Sequence, residues 1–158
     1  MPVARVVVTG QAGDPWALVE QARLLRREHR RSEVETWVVF DRDEHPRWAD
    51  AAQRARDLGL HLALSNPCIE LWGLLLHQDQ TAWIHRHDAQ RALAQLHPGY
   101  HHDKAPWFDL PTVLAGLEAA EARAELLARR ATEAGDPLGN PTTSIHRLIA
   151  RMREVASA

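Results

Sequence analysis

The sequence has few of the residues that mark specialised classes of protein. Its one cysteine, Cys68, cannot form an internal disulfide bond, which excludes a disulfide-stabilised scaffold and favours a reducing compartment. No apolar run approaches the roughly 18–20 residues of a membrane span, and no charged-then-apolar leader opens the chain. The formal net charge of −2 provides no overall basic field for nucleic acid. We therefore expect a cytoplasmic protein with no membrane partner.

Lysine and tyrosine each occur once, in the same short segment. All basic residues except Lys104 are arginine, and Tyr100 is the only tyrosine, so both fall in "YHHDK" (100–104). A lysine amine is a compact, titratable point charge, which arginine cannot replace. The segment is either a loop that faces a substrate or phosphate group, or a chance coincidence. The sequence leaves both possibilities open.

Apolar segments of strand and helix length alternate in the first half of the chain. Such alternation is typical of a parallel sheet with helices on its faces. Beyond residue 86 the pattern is helical only. We therefore predict an α/β fold with a short parallel sheet flanked by helices and a helical C-terminal part. The whole chain (1–158) is expected to form a single domain. Its α/β part comprises residues 1–85 and its helical part residues 86–158. Strands are predicted at 3–10, 34–40 and 60–64, and helices at 13–31, from 46, 65–77, 86–97, 110–135 and from 145.

An acidic turn follows the second predicted strand. Val38, Val39 and Phe40 are expected to be buried, and Asp41 and Asp43 come directly after them. Side chains two residues apart in extended chain point the same way, and ligands of parallel sheets bind beyond the carboxyl ends of the strands. Both carboxylates could therefore hold one cation such as Mg²⁺. Alternatively, one of them caps the next helix and the turn is simply solvated.

The segment "SNPCIELWGLLLH" (65–77) contains two further candidates. Glu70 lies among apolar residues, where an unpaired carboxylate would be costly to bury. It either interacts with the helix dipole or faces the same pocket as the two aspartates. His77 ends an apolar helix, a position more typical of a C-terminal cap than of a ligand. The other histidines show no spacing typical of a metal site.

Four motifs in this order, "VVFDRDEHPRW", "SNPCIELWGLLLH", "YHHDK" and "NPTTSIHRLI", resemble the RloB family over nearly the whole chain. The resemblance implies a Toprim-like α/β domain that presents acidic residues for Mg²⁺, in proteins associated with bacterial defence loci. Asp41 and Asp43 match the DxD pattern of that fold. The other matching positions are Asn66, Pro67, Glu70, Leu71, Trp72, His77, Tyr100, Lys104, Asn140, Pro141 and Thr143.

The resemblance implies a phage-defence (abortive-infection) protein that is a metal-dependent nuclease acting on RNA or DNA, or a degenerate remnant of one. The implied cation is Mg²⁺ or Mn²⁺, held by Asp41 and Asp43. The implied catalytic residues are Asp41, Asp43, Glu70 and Lys104. Further candidates are His45, Asn66, His77 and Tyr100.

The start of the chain departs from the family pattern. Family members usually open with a strand and "EGxTE", whereas "VVVTGQAGDPWALV" resembles their second strand. The other alignment places Thr9 where the catalytic glutamate is expected. We therefore expect either an inactive variant or a true start upstream of Met1. An absent first strand–helix unit would leave a face uncovered, which favours self-association or a partner.

Two other functions are compatible with these motifs. One is a non-catalytic interaction subunit that binds a partner ATPase, as the family resemblance implies. The other is a haloacid-dehalogenase-type phosphatase, which also places DxD after a strand. That family requires Thr or Val two residues after the second aspartate, and this chain has His45 there.

Overall fold

The computed structural model describes residues 8, 13–29, 34–104 and 108–158. It confirms the α/β class. The predicted strand at 3–10 and the position of Thr9 lie outside the described residues, apart from Val8, which is 86% exposed. The helices are α1 (Pro15–Glu28), α2 (Trp48–Asp57), α3 (Glu70–Leu75), α4 (Arg86–Leu96), α5 (Leu110–Glu133) and α6 (Ile145–Ser157), and the strands are β1 (Trp37–Asp41), β2 (His61–Asn66) and β3 (Thr142–Thr143).

The three described strands form one mixed sheet in the order β1-β2-β3. The first pair is mostly parallel, as predicted. The sequence did not predict β3, a short strand in the C-terminal part that pairs antiparallel with β2, with Ser65 opposite Thr143. The hydroxyls of these two residues also hydrogen-bond at 2.9 Å. A two-residue strand has no periodicity, so its partner, rather than its own sequence, makes it a strand.

One face of β1 is more open than its sequence suggested. Val38 and Phe40 are buried as predicted, but Val39 between them is 43% exposed, so its predicted burial was wrong. The alternation follows the two-residue period of a strand, in which successive side chains lie on opposite faces. An uninterrupted apolar run therefore does not require burial on both faces.

The chain divides into two compact units. The first comprises the described part of Met1–Phe40 with Glu44–Ala63 and Arg147–Ala158, and the second comprises Asp41–Asp43 with Leu64–His146. The sequence-based division of a single domain at residues 85 and 86 stays a prediction. None of the helices in the described part of the chain is long and apolar enough to cross a membrane.

In the first unit, α1 packs against α2. The Asp14 carboxylate accepts hydrogen bonds from the backbone N–H groups of Trp16 and Ala17, so it caps α1. The start of α2 differs from prediction: the helix begins at Trp48 rather than Pro46. Its N-cap position is Arg47, with no side-chain cap. Neither aspartate of the acidic turn occupies that cap position.

The second unit is built around α3, whose six residues are all buried. This helix packs against α4, α5 and β3. Two glycines permit the close approach: a Cβ at Gly73 would lie 2.7 Å from Leu93, and one at Gly116 would lie 2.5 Å from the Leu76 carbonyl oxygen. The predicted helix at 65–77 was too long, since its first residues continue β2.

Candidate functional site

The acidic turn runs alongside the end of β2. The Arg42 N–H donates to the Ser65 carbonyl and the Asp43 N–H donates to the Pro67 carbonyl, both at 2.9 Å. Asp43 has a positive φ of 43°, in the left-handed region that aspartate tolerates better than most residues. These bonds hold Asp41 and Asp43 beside the segment that leads into α3.

Asp41 lies in an environment that disfavours its charge. Burial raises the pKa of its carboxyl to about 7, and the neighbouring charges of Asp43 and Glu70 contribute in the same direction. A hydrogen bond from the Ile69 backbone N–H opposes the shift. The structure therefore brings together the three carboxylates that the sequence singled out. We call Asp41, Asp43 and Glu70 the carboxylate cluster.

Glu70 is buried, with only 8% of its surface exposed. The Tyr100 hydroxyl donates to its Oε1 at 2.7 Å. The Cys68 thiol donates to the Arg86 carbonyl at 4.0 Å. Burial, reinforced by Glu70, raises the pKa values of the Tyr100 phenol and the Cys68 thiol, so both groups stay protonated. The bond from Tyr100 offsets part of the cost of burying the carboxylate.

Arg86, at the start of α4, contributes positive charge at the edge of the cluster. Its Nη1 lies 3.7 Å from Asp43 Oδ1, and both side chains are about 30% exposed. The pair is open to solvent and only partly offsets three neighbouring carboxylates. The site is therefore acidic, with the Arg86 guanidinium at its edge.

The remaining predicted residues lie elsewhere. Lys104 is exposed, and among the described residues no ion pair joins it to the carboxylate cluster. His45 lies in the turn before α2, where its carbonyl accepts from the Trp48 N–H at 3.4 Å. Asn66 is buried, and its side chain donates to the Leu138 carbonyl at 2.8 Å. This hydrogen bond has a structural role, since it links two distant segments of the chain.

His77 belongs to a separate junction of helices. Its Nε2 lies 2.9 Å from Nδ1 of His97, and His97 Nε2 accepts from the backbone N–H of Asp109 at 2.8 Å. Burial, with a contribution from His77, lowers the pKa of His97 and keeps this buried ring neutral. Asp109 in turn caps α5 through the Thr112 N–H. His77 therefore joins the ends of α3, α4 and α5.

Sequence reasoning missed three groups around the cluster: Arg86, Cys68 and the Ile69 N–H. Nothing in the sequence separates Arg86 from the other arginines, because its role depends on where α4 begins in space. Cys68 offered a usable signal, since it lies two residues from Glu70 in the motif that the resemblance had already marked.

The fold and this site define an α/β protein with a partly buried carboxylate cluster at the end of a strand. A family model described as RloB-like protein matches residues 2–152. The chain therefore belongs to the RloB-like family, which confirms the resemblance found in its motifs. Comparisons with curated proteins and with solved structures gave no match.

Proposed function

We propose that this chain is a divalent-cation-dependent nuclease whose reaction centre is the carboxylate cluster. One observation carries the proposal: three carboxylates lie close together, and burial with like-charge neighbours raises the pKa of Asp41 to about 7. Such a site is unfavourable without a cation, and perturbed carboxyl pKa values are typical of functional sites. A purely structural turn has no need to concentrate negative charge in this way.

The donor set fits a hard cation. Asp41, Asp43 and Glu70 offer only oxygen ligands, which Mg²⁺ and Mn²⁺ prefer. Asp41 and Asp43 would hold the ion. When bound, it would polarise a phosphoryl oxygen and lower the pKa of a bound water. Tyr100 fixes the orientation of Glu70 through its hydrogen bond to Oε1, so the other carboxylate oxygen of Glu70 remains available as a ligand for the cation.

The chain's own residues also suit phosphodiester chemistry. Burial and the charges of Asp43 and Glu70 raise the pKa of Asp41 to about 7, and a bound cation would relieve that cost, so the shift supports Asp41 as an ion ligand. Arg86 lies beside Asp43, where its guanidinium could contact the non-bridging oxygens of a phosphate. Glu70 supplies the third carboxylate of the proposed site. The substrate is RNA or DNA, and the family resemblance supports a role in antiviral defence in the cytoplasm.

The test is a cleavage assay with purified protein on total RNA, single-stranded DNA and double-stranded DNA, with Mg²⁺ or Mn²⁺. We expect cleavage that chelation abolishes and that the Asp41→Ala/Asp43→Ala variant lacks. Asp50→Ala, on the exposed side of α2, is the matched control and should cleave like the parent. The absence of cleavage on all three substrates, or equal cleavage by the double variant, would overturn the proposal.

A second candidate is a non-catalytic subunit that binds a partner ATPase. The observation in its favour is an apolar pair on α5: Leu110 and Leu114, one turn apart, are each 64% exposed. In phage-challenged cells, loss of protection in Leu110→Glu/Leu114→Glu but not in Asp41→Asn would favour this candidate. The reverse pattern would favour the nuclease.

A further inference from the structure

The turn after α4 gathers metal-binding side chains outside the carboxylate cluster. His101, His102 and Asp103 each offer one ligand atom, and these atoms all lie within 4.8 Å of one another. All three residues are exposed and therefore accessible to an ion from solvent. Sequence spacing did not predict this arrangement, because adjacent side chains converge only where the backbone folds back. We call these residues the histidine turn.

Local hydrogen bonds hold the histidine turn in its folded form. The Lys104 N–H donates to the His101 carbonyl at 3.1 Å, and the Asp103 N–H donates to His101 Nδ1 at 3.3 Å. The rings of His101 and His102 stack with centroids 5.5 Å apart, and His102 Nε2 lies 3.0 Å from Asp103 Oδ1. The three side chains are thus already grouped before any ion arrives.

A third imidazole lies on the same groove. This groove, of about 520 Å³, is lined by His87 and Arg91 of α4 together with Tyr100, His101 and His102. His87 Nδ1 lies 3.3 Å from Gln90 Oε1, so a hydrogen bond at Nδ1 selects the tautomer that leaves Nε2 as a ligand. A hydrogen bond from the ring nitrogen that does not face the ion is typical of metal-binding histidines.

We propose that the histidine turn, with His87 as a fourth ligand, binds Zn²⁺. Imidazole nitrogens with one carboxylate are a ligand set that zinc prefers, whereas Mg²⁺ prefers oxygen alone. Tetrahedral coordination with zinc–nitrogen bonds of about 2.0–2.1 Å needs ligand atoms roughly 3.3 Å apart. Exposed side chains can make that contraction by rotating about their own bonds. The zinc site is therefore distinct from the carboxylate cluster in both position and chemistry.

Zinc would also restrain the segment next to the carboxylate cluster. Tyr100, which holds Glu70, directly precedes His101 in the chain. An ion that fixes the histidine turn therefore fixes the backbone on which the Tyr100 hydroxyl depends.

The test measures Zn²⁺ affinity of the tag-free full chain by competition with a chromophoric chelator, and Co²⁺ absorption as a report on ligand type. We expect one equivalent of zinc and visible Co²⁺ bands. His101→Ala/His102→Ala should weaken zinc binding at least about tenfold and remove the bands, since even outer-shell changes cost about 10–100-fold. His87→Ala should weaken binding as well. The matched control, His29→Ala/His61→Ala, removes two imidazoles elsewhere and should bind like the parent.

Three results would overturn the proposal. The first is that the parent binds no zinc at one equivalent. The second is that His101→Ala/His102→Ala binds zinc as well as the parent. The third is that Asp41→Asn/Asp43→Asn loses zinc binding, which would place the ion at the carboxylate cluster. Unchanged binding in His87→Ala would remove His87 from the ligand set. Because the substituted histidine side chains are exposed, far-UV circular dichroism should show the parental fold in every histidine variant.

Discussion

At the scale of single residues, Asp41 couples the stability of the fold to pH. Its carboxyl pKa is raised from the ordinary 3.8 to about 7 in the folded chain. The folded state therefore binds a proton more tightly than the unfolded state, and stability falls as pH rises from about 4 through about 7. Below about pH 4 this loss of stability is absent, because the Asp41 carboxyl is protonated in both the folded and the unfolded state.

Asp41→Asn should consequently stabilise the metal-free protein at about pH 8 and leave it unchanged at about pH 3.5. The neutral amide keeps the acceptor for the Ile69 N–H and removes the buried charge. A shift of this size corresponds to a gain on the order of 2–4 kcal/mol. Urea unfolding at the two pH values measures it, with Asp50→Asn as an exposed control. A gain of equal size at both pH values would show that the effect is not the charge of Asp41.

A divalent cation should remove the destabilising effect of the ionised Asp41 carboxylate in the parent chain. Millimolar Mn²⁺ at about pH 8 is expected to raise the melting temperature, because an ion that binds only the folded state stabilises it by mass action. Asp41→Asn should show little or no rise. Thermal unfolding with and without Mn²⁺ measures both, and an undiminished rise in the variant would place the ion away from Asp41.

At the scale of secondary structure, the glycines of the second unit determine how closely helices approach. A Cβ at Gly116, inside α5, would lie 2.5 Å from the Leu76 carbonyl oxygen. Glycine to alanine in a helix interior ordinarily gains about 1 kcal/mol. Here the clash with backbone should reverse the sign, and we expect Gly116→Ala to lose about 1–3 kcal/mol. Chemical denaturation measures the change in the free energy of unfolding.

The control for that experiment is Gly13→Ala, since a Cβ there has no neighbour within 4 Å. This variant should be close to neutral. If Gly116→Ala proved stabilising, α5 would have room to move away from the end of α3, contrary to the packing described above.

The sequence predicted those secondary-structure elements whose boundaries are set by neighbouring residues. Asp14 and Pro15 marked the start of α1 because a cap and a fixed φ act within a few residues. β3 was missed because its strand character comes from Ser65, far away in the chain. The same contrast holds in the candidate site. A pocket shared with Asp41 was one of two interpretations of Glu70 from the sequence, whereas the position of Arg86 depended on the packing of α4.

At the scale of the whole molecule, the charge balance limits how nucleic acid can bind. With a net charge of −2, the chain should attract phosphate backbones weakly through long-range electrostatics. We expect binding of a labelled RNA or DNA oligonucleotide to depend on Mg²⁺ or Mn²⁺ and to vary little with monovalent salt. Fluorescence anisotropy in Mg²⁺, Mn²⁺ and metal-free buffer, each at low and high concentrations of monovalent salt, measures both dependences.

Asp41→Asn/Asp43→Asn is the matched variant for this measurement and should lose the dependence on divalent cations. Tight binding by the metal-free parent with a steep salt dependence would contradict the prediction. It would indicate a basic surface that acts independently of the carboxylate cluster.

The pairing of β3 with β2 has a consequence for the order of folding. β2 is the middle strand, and its partner Thr143 lies 78 residues after Ser65. At translation rates of about 5–20 residues per second, β2 leaves the ribosome roughly 4–16 seconds before the strand that covers its open edge. Contacts of such long sequence separation form slowly. During synthesis the edge of β2 that β3 covers is therefore unpaired, and the nascent chain should depend on chaperones until β3 (Thr142–Thr143) has been made.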